Sequence, residues 1–305
     1  MNDNETMKHD LRLHCGACMR TARLLLSIFG LTLFLAACAG VVATQNSGKQ
    51  LAALKDAESY YLSGDTQRAE QLVKKLIGTK SNADGSATVL LARIYREEEQ
   101  YQKALDLLRH HEALVALYKE APPGDPKEIG REWSNEKKVL YGELKTLHGR
   151  LRFHLGQKDE SVLEDLLAGI SSYHTVSYIP DGESLQFSAL IYFSSGRYEK
   201  AIFYWNQLLT RPGAAESIAE KNETKESEGI KDFYHATEYN IACAYAKLGN
   251  VDQTLSWLRK SLVHKPKERL QSILTDHDLD NVREDSRFKD FIRGLQGGRF
   301  AAPNQ

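Results

Sequence analysis

Apolar and small residues recur at spacings of three and four along most of the chain after residue 48. Around residue 205, for example, Ala201, Ile202, Trp205 and Leu208 fall on one side of a helix. Pro212 and Pro266 each follow such a stretch, and proline cannot continue a helix. The pattern therefore predicts an all-α chain of amphipathic helices.

A small residue, an aromatic residue and a glycine return in the same order in successive helical stretches. Small residues allow two antiparallel helices to approach closely, and glycine supplies the positive φ of a tight turn between them. Turns are predicted at positions 64, 99, 156, 196 and 249, and the unit around Gly149, Phe153 and Gly156 is degenerate. The marker residues of the other four units are Ala57, Tyr60 and Ala69; Ala92, Tyr95 and Ala104; Ala189, Tyr192 and Ala201; and Ala242 and Tyr245.

These units resemble the tetratricopeptide repeat, in which helix pairs of 34 residues stack into a superhelix. The resemblance implies an all-α, right-handed superhelix of antiparallel helix pairs over residues 49–295. Insertions are expected at 121–126 and 214–229. The segment from Asp276 to Ile292 resembles the closing segment of such arrays, with Asp285 or Ser286 capping the last helix. Residues 296–305 are expected to be a disordered tail.

Composition narrows the class of protein further. The chain has 305 residues, 42% of them apolar and 27% charged, which is typical of an ordered soluble fold. With 40 basic and 41 acidic residues the net charge is −1, so no polybasic surface for nucleic acid is indicated. We therefore expect a protein partner and no nucleic acid.

The N-terminus has the pattern of an export signal. Arg20 and Arg23 precede an uncharged stretch that ends in Leu-Ala-Ala-Cys at residues 35–38. This order resembles the signal peptide and lipobox of bacterial lipoproteins, which implies a signal over 1–37, a lipidated Cys38 and a tether over 38–48. Ala39 after the cysteine favours the outer over the inner membrane. An uncleaved signal anchor is the alternative, and translation could start at Met1 or Met19.

The sequence contains no recognised catalytic, phosphate-binding or dinucleotide-binding motif. Asp276, Asp278 and Asp280 have the spacing of a calcium loop, but its glycine and its final glutamate are missing. Cys243, placed among alanines, is interpreted as a small buried thiol. The chain is therefore predicted to be a non-enzyme without cofactor or metal.

The favoured interpretation is a lipid-anchored scaffold on the periplasmic side of a bacterial envelope, binding a protein or peptide in its concave groove. The alternative is a cell-wall hydrolase or accessory enzyme whose site is not visible in the sequence. The resemblance places the groove on the first helix of each pair, and arginines there would favour an acidic, extended peptide. The predicted groove residues are Tyr61, Arg93, Arg96, Arg150, Phe153, Gln186, Phe193, Tyr239 and Lys247.

Overall fold

The computed structural model describes residues 45–79, 83–111, 114–117, 133–214, 225–263 and 266–297, and within these ranges the secondary structure is helical without strands. The main helices are α1 (Gln45–Leu62), α2 (Thr66–Leu76), α3 (Asp84–Glu97), α4 (Tyr101–His110), α5 (Asn135–His154), α6 (Glu160–Thr175), α7 (Gly182–Ser194), α8 (Tyr198–Leu209), α9 (Lys225–Lys247), α10 (Val251–Ser261), α11 (Pro266–Thr275), α12 (Asp280–Arg283) and α13 (Ser286–Gln296). The all-α prediction is confirmed. We call α1, α3, α5, α7 and α9 the first helices and α2, α4, α6, α8 and α10 the second helices.

The five predicted interhelical turns share one backbone geometry. Four have glycine in the left-handed region, at Gly64, Gly156, Gly196 and Gly249, and the turn after α3 has Glu99 there with φ of 61°. The next residue donates its N–H to the carbonyl five positions earlier, at N–O distances from 2.8 to 3.0 Å in all five turns. This is the Schellman arrangement, which closes a helix and turns the chain back. The predicted register of the repeats is therefore correct.

The small residues of the repeat mark the closest helix contacts. Ala57, Ala92, Ala189 and Ala242 on first helices are fully buried, as the spacing predicted. The degenerate third pair, α5 and α6, uses glycine instead. A Cβ atom added at Gly149 would lie 2.8 Å from Leu166 Cγ. The third pair has glycine in place of alanine at this contact because its two helices lie closer together than an alanine side chain would allow.

The described chain consists of two compact units. We call residues 45–187 the N-terminal unit and residues 188–297 the C-terminal unit. The core of the N-terminal unit includes Leu54, Ile94, Leu105 and Leu147. In the C-terminal unit, Leu258, Leu279, Val282 and Phe288 form part of one core cluster. Each unit therefore has its own apolar interior.

The closing segment behaves as predicted. Asp276 begins a short 3-10 turn (His277–Leu279), and its side chain accepts from the N–H of Asp278. Asp285 caps α13 by accepting from the N–H of Arg287. The closing segment thus completes the C-terminal core rather than forming a separate element.

Some predicted boundaries differ from the structure or lie outside its described part. Helix α1 begins at Gln45, inside the predicted tether, and α9 begins at Lys225, inside the second predicted insertion. Residues 1–44, with the lipobox and Cys38, lie outside the described residues, as do 118–132, 215–224 and 298–305.

None of the helices in the described ranges is both long and apolar enough to span a bilayer.

Candidate partner-binding face

The predicted groove residues lie on first helices, and six of them belong to the N-terminal unit. Those six are Tyr61 on α1, Arg93 and Arg96 on α3, Arg150 and Phe153 on α5, and Gln186 on α7. Phe193, Tyr239 and Lys247 belong to the C-terminal unit. We call the surface formed by α1, α3, α5 and the start of α7 the first-helix face.

Successive first helices are linked by polar contacts across this face. Tyr61 on α1 donates its hydroxyl hydrogen to Glu97 on α3. Arg93 on α3 donates to Glu143 on α5, with 2.7 Å between Nη2 and Oε1. Burial, followed by the charge of Glu97, raises the pKa of Tyr61 to about 12, so its hydroxyl remains a donor at neutral pH. These contacts set the helix spacing with directional bonds as well as packing.

The centre of the face is Glu183, in the first turn of α7. Arg96 Nη1 lies 2.9 Å and Arg150 Nη1 lies 3.2 Å from Glu183 Oε2, and His154 Nε2 lies 3.0 Å from Oε1. Burial alone would raise the pKa of Glu183, but Arg96, His154 and Arg150 together hold it well below its usual value. An ionised carboxylate only accepts hydrogen bonds, so His154 Nε2 carries the proton.

The sequence predicted that the arginines of the groove would form a basic site for an acidic peptide. This prediction is wrong, because carboxylates neutralise them. Arg150 also bonds Asp181 at 3.1 Å. Each of the three predicted groove arginines, Arg93, Arg96 and Arg150, therefore pairs with a carboxylate. Nor is Arg96 a solvated surface residue, because it is only 6% exposed. Carboxylates of neighbouring first helices neutralise the arginines.

Aromatic side chains edge the charged centre. Phe153 on α5 stacks on Phe187 of α7 with 4.0 Å between ring centroids. His154 stacks on Tyr101 at 4.5 Å. Such stacked rings resist rotation and fix the surface around Glu183. The face is therefore preorganised, with a charged centre and an aromatic edge.

A small pocket opens on the same face near its α1 end. Glu58, Tyr61, Val89, Leu90 and Glu143 belong to its lining, together with Ser86 and Arg93. Burial and then the charge of Glu143 raise the pKa of Glu58 to about 7, although Arg93 and Lys55 oppose the shift. Glu58 makes no hydrogen bond or ion pair to another residue of the described chain. The pocket thus holds a partly desolvated carboxyl group.

In the C-terminal unit, two of the predicted groove residues are engaged by the closing segment. Tyr239 is 8% exposed and donates to Asp276 Oδ2 at 2.7 Å. Lys247 forms an ion pair with Asp278 at 2.8 Å. Phe193, the third, packs against the C-terminal core. On this part of the array the first-helix residues are structural in the described chain.

Cys243 lies beside the same carboxylates. Ligand atoms of Cys243, Asp276 and Asp278 lie within 4.8 Å of one another, as a metal site would require. Burial, with Asp276 and Asp278, raises the pKa of the Cys243 thiol well above its usual value, and the thiol donates to Asp276. A protonated thiol and a lysine-paired carboxylate are poor metal ligands. The arrangement fits the predicted buried thiol.

Sequence reasoning missed the acidic members of the face. Glu143 lies seven residues before Arg150 on α5, so a two-turn spacing could have placed both on one side. Glu183 gave no comparable signal, because acidic residues in the first turn of a helix are common for capping reasons. His154 was not among the predicted groove residues either, yet it bonds the carboxylate of Glu183.

Comparison with known proteins supports the repeat assignment. Two segments, residues 87–120 and 182–212, match family models described as tetratricopeptide repeats. They coincide with the second and fourth predicted units, so the chain contains tetratricopeptide repeats. None of the curated proteins is significantly similar in sequence.

The solved structures to which the chain is distantly similar include MamA protein and BtubC. MamA protein is 15% identical, with 75% of this chain and 95% of that chain covered and a TM-score of 0.43. BtubC (BKLC) from P. vanneervenii is 14% identical, with 85% and 93% covered and a TM-score of 0.43. The assignment of the chain as a helical-repeat protein therefore depends on the repeats in its own sequence. Such repeat arrays commonly serve as binding surfaces.

Proposed function

We propose that the protein is a scaffold that binds a partner protein or peptide on its first-helix face. The observation that carries this proposal is the chain of bonds from α1 to α7 through Tyr61, Arg93, Arg96 and Arg150. A surface whose side chains are already ordered loses little entropy on binding. We do not extend the proposal to an acidic ligand, because the guanidinium groups already bind carboxylates.

We further propose that the scaffold is held on the periplasmic side of a bacterial envelope, in the outer membrane, through lipid on Cys38. The support is the order of basic residues, apolar stretch and Leu-Ala-Ala-Cys. Two or three acyl chains give firm anchoring, whereas one gives marginal binding. A lipidated protein of this kind should remain with membranes through a salt wash.

The tether is tested by metabolic labelling with a palmitate analogue. We expect Cys38→Ala to abolish labelling and leave an uncleaved precursor. The matched control is Cys18→Ala, which removes a nearby cysteine outside the lipobox and should label like the parent. Equal labelling of the parent and Cys38→Ala would exclude Cys38 as the lipid site.

The binding face is tested by photo-crosslinking. A benzoylphenylalanine at Phe153 places the reactive group on the first-helix face, and one at Phe203, 57% exposed on α8, places it on a second helix. Both variants replace a phenylalanine with its benzoyl derivative, so the two substitutions are chemically identical. We expect a discrete crosslinked protein from native membranes with the first variant and none with the second. The same products from both positions would contradict the proposal.

A further inference from the structure

The pocket at the α1 end of the first-helix face differs from the rest of that face in its charge balance. Around Glu183, two guanidinium groups and the His154 ring contact one carboxylate, and Asp181 is a further acceptor for Arg150. In the pocket, Glu58 and Glu143 share one guanidinium, that of Arg93. The pocket therefore has one carboxylate more than the cations that line it.

The side chains that line the pocket divide into a polar part and an apolar part. Val89 and Leu90 of α3 line the pocket although they are almost fully buried, with 1% and 4% exposure. Glu58 and Glu143 come from the first helices on either side of α3. The pocket therefore offers both apolar carbon and two carboxylates to an incoming group.

We infer that this pocket binds the ammonium group of a lysine side chain from the partner. The inference rests on the proposed function, since it specifies what part of a partner the first-helix face selects. A lysine has an apolar stem that suits Val89 and Leu90 and a cationic tip that suits Glu58. An ammonium group donates three hydrogen bonds, and the unpaired Glu58 carboxylate offers acceptors for them.

The small space in the pocket suits the ammonium group of lysine better than the guanidinium of arginine. Its free volume is about 20 Å³, and a single water-sized group needs about 10–15 Å³. The compact ammonium group fits this space, whereas the planar guanidinium requires a wider opening. Binding of a cation also favours the ionised form of Glu58, which burial alone disfavours.

The first experiment uses the purified full chain and capped hexapeptide pools that are random except for one fixed residue. We expect the pool with fixed lysine to be retained about tenfold more than the pool with fixed norleucine, and more than the arginine and glutamate pools. Glu58→Gln should remove this preference. The matched control is Glu164→Gln, which changes an exposed carboxylate on α6 and should leave the preference intact.

A second measurement tests the pocket without any peptide. Nα-acetyl-lysine N-methylamide is titrated into chain carrying carboxyl-¹³C glutamate, and the Glu58 signal is assigned by its loss in Glu58→Gln. We expect the lysine amide to shift that signal and the norleucine amide to leave it unchanged.

The two measurements separate the inference from the function on which it rests. Retention of all pools alike, with no shift of the Glu58 signal, would overturn the lysine pocket and leave the binding face standing. A Glu58 shift with no pool retained would support the pocket and count against the first-helix face as a peptide site. Failure of both measurements would overturn both proposals.

Discussion

The first helices of the two units satisfy their polar side chains in different ways. In the N-terminal unit, polar residues of one first helix bond to the next first helix, as Arg93 does to Glu143 and Arg96 to Glu183. In the C-terminal unit, Tyr239 and Lys247 bond to the closing segment instead. Side chains of first helices thus serve an open face in one unit and an end cap in the other.

This difference follows from the position of the closing segment in the array. A terminal repeat has no following repeat to cover it, so a capping segment must supply the missing contacts. Asp276 does so for the last pair by accepting from Tyr239 and capping the 3-10 turn at once. On the N-terminal unit no described segment plays this part, and Glu58 on α1 stays unpaired and open to a ligand. The closing segment therefore engages first-helix side chains of the C-terminal unit, whereas Glu58 of the N-terminal unit lines an open pocket.

The largest effect is expected at the helix contact that distinguishes the third pair. In Gly169→Ala the new Cβ would lie 2.4 Å from Thr146 Cγ2 and 2.8 Å from the Gly142 carbonyl oxygen, so the backbones must separate. We expect a loss of about 3 kcal/mol in the free energy of unfolding, measured in urea.

The matched control lies in the C-terminal unit. Gly294 is in α13, and a Cβ there would have no neighbour within 4 Å. Gly294→Ala should stabilise the chain by about 0.5 kcal/mol through helix propensity. Equal effects of the two alanines would show that α5 and α6 do not lie as close as described.

The next effect distinguishes buried from exposed ion pairs. Arg96→Ala removes one of the two guanidinium partners of Glu183, and the side chains of the Arg96–Glu183 pair are only 7% and 12% exposed. We expect a loss of about 2 kcal/mol, since a buried charge loses part of its compensation.

Lys247→Ala is the counterpart in the C-terminal unit. The Lys247 and Asp278 side chains are 26% and 34% exposed, so solvent and salt screen this pair. We expect a loss below about 1 kcal/mol, smaller still in 1 M salt. A cost for Lys247→Ala as large as that for Arg96→Ala would mean that both units depend on ion pairs to the same degree.

A third prediction uses the pH dependence of the pocket. The pKa of Glu58 is about 7 in the folded chain against an ordinary value of 4.5, so the native state holds the proton more tightly. Glu58 therefore costs stability as pH rises through that window, and the cost is complete above pH 7. The ionisable groups that act on Glu58 are Glu143, Arg93 and Lys55.

Glu58→Gln removes this cost. After allowance for the exposed part of the side chain, we expect the variant to be about 1 kcal/mol more stable than the parent at pH 8 and equal to it near pH 4. Urea unfolding of both proteins from pH 4 to 8 provides the test, with Glu164→Gln as the exposed control. A constant difference across the range would exclude a perturbed Glu58.

Much of the fold was predictable because its signals are local. The turn at Gly64 and the contact at Ala57 each depend on one residue type at one spacing, and both were predicted correctly. The third pair departs from the alanine pattern in the sequence because glycine at 142, 149 and 169 occupies its close helix contacts.

The charge of the face was not predictable in the same way. Arg96 and Glu183 are 87 residues apart in the sequence, and their pairing depends on how α3 and α7 approach each other. The sequence showed the arginines as a group but not the carboxylates that reach them from other helices. To predict a basic surface from sequence, one must therefore know which carboxylates pair with the arginines as well as where the arginines lie.

The smallest effect is expected at the turn that departs from the repeat. Glu99 adopts φ of 61°, where the other four turns have glycine. Glu99→Gly relieves the strain of a side chain in the left-handed region but also gives the unfolded chain more freedom, so the two terms largely cancel. We expect a gain of about 0.5 kcal/mol. In the C-terminal unit the reverse change, Gly249→Ala at φ of 71°, should cost about 1 kcal/mol.

Glu99→Ala is the control, since it removes the side-chain contacts of Glu99 while keeping a Cβ in the strained turn. If Glu99→Ala stabilises the chain as much as Glu99→Gly does, the gain comes from loss of the glutamate side chain, and the turns of the two units do not differ in backbone strain.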